Sequence, residues 1–143
     1  MALNMDPAGY YVCVSGEKDR SVIQELCLMA GVKCEFVHHH TSVDRPETVR
    51  FVRGEKARLE SAGRIFRIEI PRFADGRQKT MWNLIGRRGL PLRTVRWRCG
   101  ELKEGGGEGR YVMTGVRWEE SPRRKKERAL HEVRSRKKRA ASC

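Results

Sequence analysis

Residues 10–20 read YYVCVSGEKDR, and this stretch sets the class of fold. The short aromatic and β-branched run predicts a buried strand at Tyr10–Val14. Ser15 and Gly16 follow the strand directly and predict a tight turn. From Asp19 onward apolar residues recur every three or four positions, which predicts a helix that Gly31 ends. A buried strand, a tight turn and an amphipathic helix form the first unit of an α/β domain.

The same alternation of strands and helices continues along the chain. The further elements predicted are a strand at Val32–His38, a short helix at Pro46–Arg53, a strand at Ile65–Ile70, a helix at Thr80–Ile85 closed by Gly86 or Gly89, and a strand at Gly109–Val116. Short connections between such elements favour one small α/β domain: a mostly parallel sheet with right-handed crossovers and helices on both faces. A sheet of this kind binds ligands at the carboxyl ends of its strands.

Length and charge divide the chain into a domain and a tail. The 143 residues fit one compact domain, which we predict over residues 1–122, followed by a basic helical or disordered tail over 123–143. Lys and Arg number 31 against 18 Asp and Glu, a net charge of +13. Residues 1–44 hold only three of the basic residues, so the positive charge belongs to the rest of the chain. This imbalance indicates an acidic partner.

Cysteine usage and hydropathy favour a cytoplasmic protein. The five cysteines are odd in number and form no C-x-x-C pair, which argues against a disulfide framework and against a zinc ribbon. Neither an apolar run long enough to span a membrane nor a signal peptide is found in the sequence. We therefore expect reduced thiols and no membrane partner.

Three consecutive histidines, His38 to His40, raise the question of a metal site. On a strand His38 and His40 face the same side as Cys34, and imidazole and thiolate both bind zinc. A second pair of ligands with recognisable spacing does not follow in the sequence. We therefore expect a solvated strand end and no metal.

Five segments in order resemble one known family. Residues 15–20, SGEKDR, are similar to the S-G-G-K-D-S loop of the PP-loop ATP pyrophosphatase superfamily, in its phosphoadenosine phosphosulfate reductase-like branch common in phages and prophages. The other matching segments are His40–Phe51 (T-T-V-D-P-P-E in the family), Lys79–Ile85 (T-M-W-x-L-I), Arg96–Glu104 (R-x-C-C-x-x-L-K-E) and Thr114–Arg124 (G-x-R-x-x-E-S-x-R-R). The resemblance covers roughly residues 9–128 and implies a bacterial or phage-infected cell.

The resemblance implies an adenine-nucleotide site, with ATP or phosphoadenosine phosphosulfate as the ligand. The residues it assigns to the phosphate loop are Ser15, Gly16, Lys18 and Asp19, and those it assigns to the nucleotide side are Thr41 and Asp44. The later motifs add Lys103, Gly115, Arg117, Ser121 and Arg124, of which the two arginines would neutralise negative charge. No metal is part of this expectation.

Departures from the family pattern predict impaired or lost catalysis. Glu17 stands at the second loop glycine and Arg20 replaces a small hydroxyl residue. Cys99-Gly100 stands where the family has paired cysteines, so an iron–sulfur cluster is not expected. The chain stops soon after Arg128 and has Ser142-Cys143 in place of a C-terminal E-C-G-L-H-like segment. Whether the protein is an enzyme stays open at this point.

The alternative hypothesis is a non-enzymatic phage-type protein that binds nucleic acid or a nucleoprotein complex, for example as an inhibitor of host defence. Its candidate contacts are Arg96, Trp97, Arg98, Arg123, Lys125, Lys126, Arg128, Arg134, Arg136, Lys137, Lys138 and Arg139. Trp97 lies between two arginines and is the tryptophan predicted to stack on a ligand, whereas Trp82 is predicted to lie in the core. The oligomeric state is not predicted, and an oligomer whose partner completes the site stays open.

Overall fold

The computed structural model describes residues 7–92, 97–103 and 105–113. In chain order the elements are β1 (Tyr10–Val14), α1 (Lys18–Met29), β2 (Cys34–His39), α2 (Pro46–Ser61), β3 (Ile65–Glu69), α3 (Met81–Arg88), a π-helical turn (Cys99–Lys103) and β4 (Val112–Met113). The alternation of strands and helices predicted from the sequence is confirmed.

The four strands form one parallel sheet in the order β3-β2-β1-β4. In this register Val14, the last residue of β1, lies opposite His38 of β2. The chain moves outward from β1 to β3 and then returns to the other side of β1, so the strand order reverses at β1. A reversal of this kind opens a crevice at the carboxyl ends of the strands. The predicted α/β class with its parallel sheet is therefore confirmed.

The helix ends follow local signals in the sequence. Gly31 has a φ of +64°, a conformation that glycine adopts without a steric penalty, and it comes just after the C-terminal cap of α1. Thr80 caps α3 in a reciprocal pair: its hydroxyl accepts from Asn83 N, and the Asn83 side chain accepts from Thr80 N. Of the two glycines predicted to close α3, Gly89 does so.

Helix α2 extends to Ser61, eight residues past the predicted end at Arg53. Gly54 does not end the helix, because Val52 and Leu59 bury the same face on both sides of it. Of the predicted strand Gly109–Val116, residues 109–113 are described, and Val112–Met113 among them form β4. The basic tail over 123–143 lies outside them.

Two apolar clusters cover the two faces of the sheet. The cluster on one face contains Tyr10, Val12, Val14, Cys34, Phe36 and Phe66 from the strands, with Cys27 of α1 and Val52 and Leu59 of α2. Both long helices thus cover this one face. On the other face Tyr11, Cys13 and Val37 pack with Val112, and Gly107 lies close to the Tyr11 ring. Helices were predicted on both faces of the sheet, and among the described residues the two long helices pack on the first face.

A third cluster corrects the sequence-based interpretation of two tryptophans. Trp97 is 8% exposed and packs with Met81, Leu84 and Leu102, so its ring is not presented to a base. Trp82 is 72% exposed, although it was predicted to lie in the core. It directly follows the buried Met81, and successive side chains of a helix point about 100° apart. Among the described residues, no helix combines the length and the hydropathy needed to span a membrane.

Candidate functional site

A small cavity lies at the carboxyl ends of β1 and β2, beside the reversal of strand order. Its walls come from both strand ends, from the first turn of α1 and from the π-helical turn: Val14, Ser15, Arg20, His38, His39, Thr41, Asp44 and Lys103. Its volume is about 30 Å³. We call these residues the edge cluster.

The turn after β1 is shaped by a glycine. Gly16 has a φ of +74°, and a Cβ there would lie 3.3 Å from Cδ1 of Phe51. Glu17 follows in an extended conformation as the N-terminal cap of α1, and its side chain makes no capping hydrogen bond. The Glu17 side chain is exposed and does not line the cavity. The backbone at position 17, where the family loop has its second glycine, therefore adopts a conformation that does not require glycine.

Two buried donors of the edge cluster have no hydrogen-bond partner among the described residues. They are Ser15 Oγ and Arg20 Nε. The described residues hold further buried nitrogens without a partner, in Trp97, Arg98 and Arg110, but these three residues do not line the cavity. Because buried polar groups are nearly always paired, these two donors leave hydrogen-bonding capacity for an acceptor beside one cavity.

The loop after β2 is held by a carboxylate. Asp44 Oδ2 accepts from Thr41 N at 2.9 Å, and Asp44 Oδ1 accepts from Thr41 Oγ1 at 2.8 Å. Burial of Asp44 works against its ionisation, but the Thr41 hydrogen bonds and the nearby histidines hold its pKa below the usual value. Thr41 is itself only 1% exposed. The loop therefore presents an ionised carboxylate in a fixed position.

The histidines at the end of β2 differ from the solvated strand end expected from sequence. His38 is 5% exposed, and its Nδ1 lies 3.0 Å from the backbone oxygen of Val14. Burial lowers the pKa of His38, so the ring is held neutral. His40 is half-buried, with Nδ1 3.5 Å from Asp44 Oδ2. Cys34 stands four residues before His38 on the strand, roughly 13 Å away, and cannot share an ion with it.

The structure brings together some of the residues assigned from the family resemblance. Ser15, Thr41, Asp44 and Lys103 line the cavity. Gly16, Lys18 and Asp19 belong to the adjacent turn and first turn of α1 without lining it, and Lys18 is exposed. The residues Gly115, Arg117, Ser121 and Arg124 lie outside the described residues. Arg96 and the predicted nucleic-acid contacts from Arg123 onward lie outside them too.

Arg20 and His38 line the cavity although sequence reasoning did not assign them to the phosphate site. The family resemblance marks Arg20 as a departure from the loop motif and does not place it among the phosphate ligands. A usable signal was its place three residues after the helix cap, where a side chain can fold back over the preceding turn. For His38 the predicted strands give no such signal, because pairing from their first residues, Tyr10 and Val32, would set Phe36 beside Val14, whereas the observed register sets His38 there.

A second polar cluster lies at the amino end of β2, on the opposite face of the sheet. Glu35 contacts Nε of Arg67 through one carboxylate oxygen, and its other oxygen accepts from Arg110 Nη1 at 2.6 Å. Arg110 Nη2 also donates to the backbone oxygen of Gly9 at 2.7 Å. Burial raises the pKa of Glu35, but the two arginines outweigh it and hold the pKa below its usual value. We call Glu35, Arg67 and Arg110 the paired cluster.

Comparison of the chain with protein-family models, with curated proteins and with solved structures finds no significant match.

Proposed function

We propose that the edge cluster binds the phosphate group of an adenine nucleotide, ATP or phosphoadenosine phosphosulfate, with catalysis impaired or lost. The observation that carries this proposal is the pair of buried donors, Ser15 Oγ and Arg20 Nε, that border one cavity without a partner among the described residues. An unpaired buried donor costs about 1–3 kcal/mol, and more when it is charged. A phosphate oxygen accepts from both donors and would recover this energy.

The electrostatics of the cavity favour an anion. Arg20 and Lys103 bring two positive charges to its wall, and the N-terminus of α1 lies beside it. The ionised Asp44 brings one negative charge to the same wall, so the charged side chains that line the cavity remain net positive. The charge of Glu17, which faces solvent, is screened from the cavity.

The cavity has room for one or two oxygens of a terminal phosphate, and the rest of the nucleotide would lie beyond it. A cavity of about 30 Å³ holds one or two waters or a group of similar size. A larger hollow of about 150 Å³ adjoins it and shares His38. Its walls are mostly apolar, from Val49, Val52, Ile68 and Ile70, which suits the flat face of a base.

The three cysteines whose side chains the structure describes offer no reductase nucleophile. Cys13, Cys27 and Cys34 are buried and do not line the cavity. Burial, with a smaller contribution from the neighbouring Cys34, raises the pKa of Cys27 to about 11. Because the thiolate is the reactive form, this thiol is inert at neutral pH. Binding without reduction is the activity we propose.

Calorimetric titration with ATP, with phosphoadenosine phosphosulfate and with inorganic phosphate tests this proposal. Arg20→Gln should weaken binding about tenfold or more, because a charge-assisted hydrogen bond is lost. Lys18→Gln removes the same charge from the same helix turn outside the cavity, and Arg50→Gln removes it from the exposed surface of α2. Both should have smaller effects than Arg20→Gln. Equal affinities for all four proteins, or no binding by the wild type, would refute the proposal.

The net charge of +13 favours nucleic acid as a second candidate ligand. Residues 123–139 contain ten Lys or Arg and two Glu, and each phosphate that such a segment neutralises releases counterions. Binding of this kind should weaken steeply with salt. Neutralising Arg134, Arg136, Lys137, Lys138 and Arg139 together should abolish it and leave nucleotide binding intact, whereas Arg20→Gln should do the reverse.

A further inference from the structure

We propose that His38, His40 and Asp44 form a binding site for a divalent transition metal, with Zn²⁺ as the best match. One ligand atom from each of these residues lies within 4.8 Å of the other two. Two imidazole nitrogens and one carboxylate oxygen are a common ligand set of zinc, whereas Mg²⁺ and Ca²⁺ prefer oxygen ligands. The metal is a different ligand from the proposed phosphate, and the two sites are tested by separate experiments.

The backbone brings the three ligands together. His38 and His40 are two residues apart at the end of β2, where alternate side chains point to the same side of the strand. The chain then turns through Thr41 and Ser42, and Ser42 has a φ of +65°. Asp44 is fixed in this turn by its two hydrogen bonds from Thr41. The site is therefore preorganised by contacts that do not involve a metal.

The hydrogen bond of His38 leaves the nitrogen that a metal needs. A backbone carbonyl can only accept, so His38 Nδ1 carries the proton that bonds to the Val14 oxygen at 3.0 Å. In the neutral ring the lone pair then belongs to Nε2. Metal-binding histidines are usually oriented in this way, with the second nitrogen donating to a carbonyl or a carboxylate. Asp44 has the corresponding support from Thr41.

Three protein ligands leave one position of a tetrahedral zinc ion open. His38 and Asp44 both line the small cavity, and His38 and His40 both line the larger hollow. A metal bound by all three would therefore lie where the two spaces meet. Its open position would be available to water or to an oxygen of the phosphate that we propose for the cavity.

Titration of the apo-protein with Co²⁺ in phosphate-free buffer, read by visible absorption, is the first test. A site with three protein ligands should give the intense d–d bands of four-coordinate cobalt, and Zn²⁺ should displace them. A strong near-ultraviolet charge-transfer band would mean thiolate ligands and would overturn the assignment. Absence of any spectral change would overturn it as well.

The matched variants are His40→Gln and His39→Gln, which remove neighbouring histidines. His40→Gln removes a direct ligand and should weaken Zn²⁺ binding, measured by competition with a chromophoric chelator, by at least about 100-fold, since loss of an outer-shell partner alone costs about 10–100-fold. His39 points to the opposite face, where its Nε2 lies 3.1 Å from Tyr11 Oη, so His39→Gln should change the affinity less than about threefold. Equal losses in both variants would overturn the proposal.

A second ligand variant keeps the test valid if His40→Gln unfolds the protein. Asp44→Asn retains an acceptor for Thr41 and should also weaken Zn²⁺ binding, with the fold monitored by circular dichroism. Arg20→Gln should not weaken Zn²⁺ binding, because a guanidinium is not a metal ligand and its positive charge beside His38 and Asp44 opposes a cation. Phosphate binding without Zn²⁺ binding would refute the metal site alone, and the opposite result would refute the phosphate site alone.

Discussion

The paired cluster and the edge cluster lie at opposite ends of the same sheet and are built from similar residue types. In the paired cluster Glu35 is 6% exposed and faces two arginines, Arg67 and Arg110. In the edge cluster Arg20 and Ser15 each bury a donor that has no partner among the described residues. One cluster neutralises its own buried carboxylate and stabilises the fold, whereas the other leaves hydrogen-bonding capacity for a ligand.

The largest expected difference between the clusters is in stability. Glu35→Gln removes the charge that the two arginines share and should lower the free energy of unfolding by about 3 kcal/mol. Urea unfolding measures this value. Glu60→Gln is the matched control, because Glu60 forms an exposed pair with Lys56, and it should cost less than about 1 kcal/mol. Equal costs would mean that the paired cluster does not stabilise the fold.

The pH dependence should follow the same cluster. Because the folded-state pKa of Glu35 lies below its ordinary value of 4.5, its ionised form stabilises the fold above that pH. This contribution is lost as the pH falls below 4.5 and through the folded-state pKa. The stability gap between the wild type and Glu35→Gln should therefore shrink in acid. A gap that is constant from neutral pH downward would contradict this role of the charge.

The glycines beside the two clusters should respond unequally to alanine. A Cβ on Gly9, near the paired cluster, would lie 2.8 Å from the backbone oxygen of Lys33, which already accepts from Tyr10 N. Gly9→Ala should cost about 3 kcal/mol, since backbone strain and overpacking add. Gly16→Ala meets side-chain atoms alone, the Thr48 methyl and the half-exposed Phe51 ring, and should cost about 1–2 kcal/mol. Thermal unfolding of both variants measures the two losses. A larger loss for Gly16→Ala than for Gly9→Ala would contradict the tighter packing around Gly9.

The smallest effect on stability is expected at the edge cluster itself. Arg20→Gln removes a charge whose buried nitrogen has no partner among the described residues. Its unfolding free energy without ligand should match the wild type or rise by about 1 kcal/mol, because an unpaired buried donor is removed. Urea unfolding in phosphate-free buffer measures this. A loss comparable to that of Glu35→Gln would mean that Arg20 belongs to the fold and not to a binding site.

Much of the fold could be predicted because its signals are local. The apolar run of β1 and the glycine after α1 are adjacent in sequence to the structures they cause. The length of α2 could not be predicted in the same way. Its continuation past Gly54 depends on Leu59, which packs in the core of the assembled sheet. Such a contact exists only after strands distant in sequence have paired.

Site residues that directly follow a strand could be predicted from the sequence, whereas those whose role depends on burial could not. Ser15, Thr41 and Asp44 directly follow strands, so the topology places them at one edge of the sheet. Sequence cannot show that the Arg20 nitrogen is buried or that the His38 ring is covered, because packing from other elements decides both. For the same reason the sequence could not show that Trp82 is exposed and Trp97 is buried, the reverse of what was predicted.

The side-chain Nε–H signals of arginine in two-dimensional ¹H–¹⁵N NMR spectra test the central claim most directly. Arg20→Gln identifies the Arg20 signal by its loss. On addition of inorganic phosphate this signal should shift and saturate, while the Nε–H signals of Arg67 and Arg58, which already face carboxylates, should stay in place. An unchanged Arg20 signal, or equal unsaturating shifts of all three, would contradict a phosphate site at the carboxyl edge of the sheet.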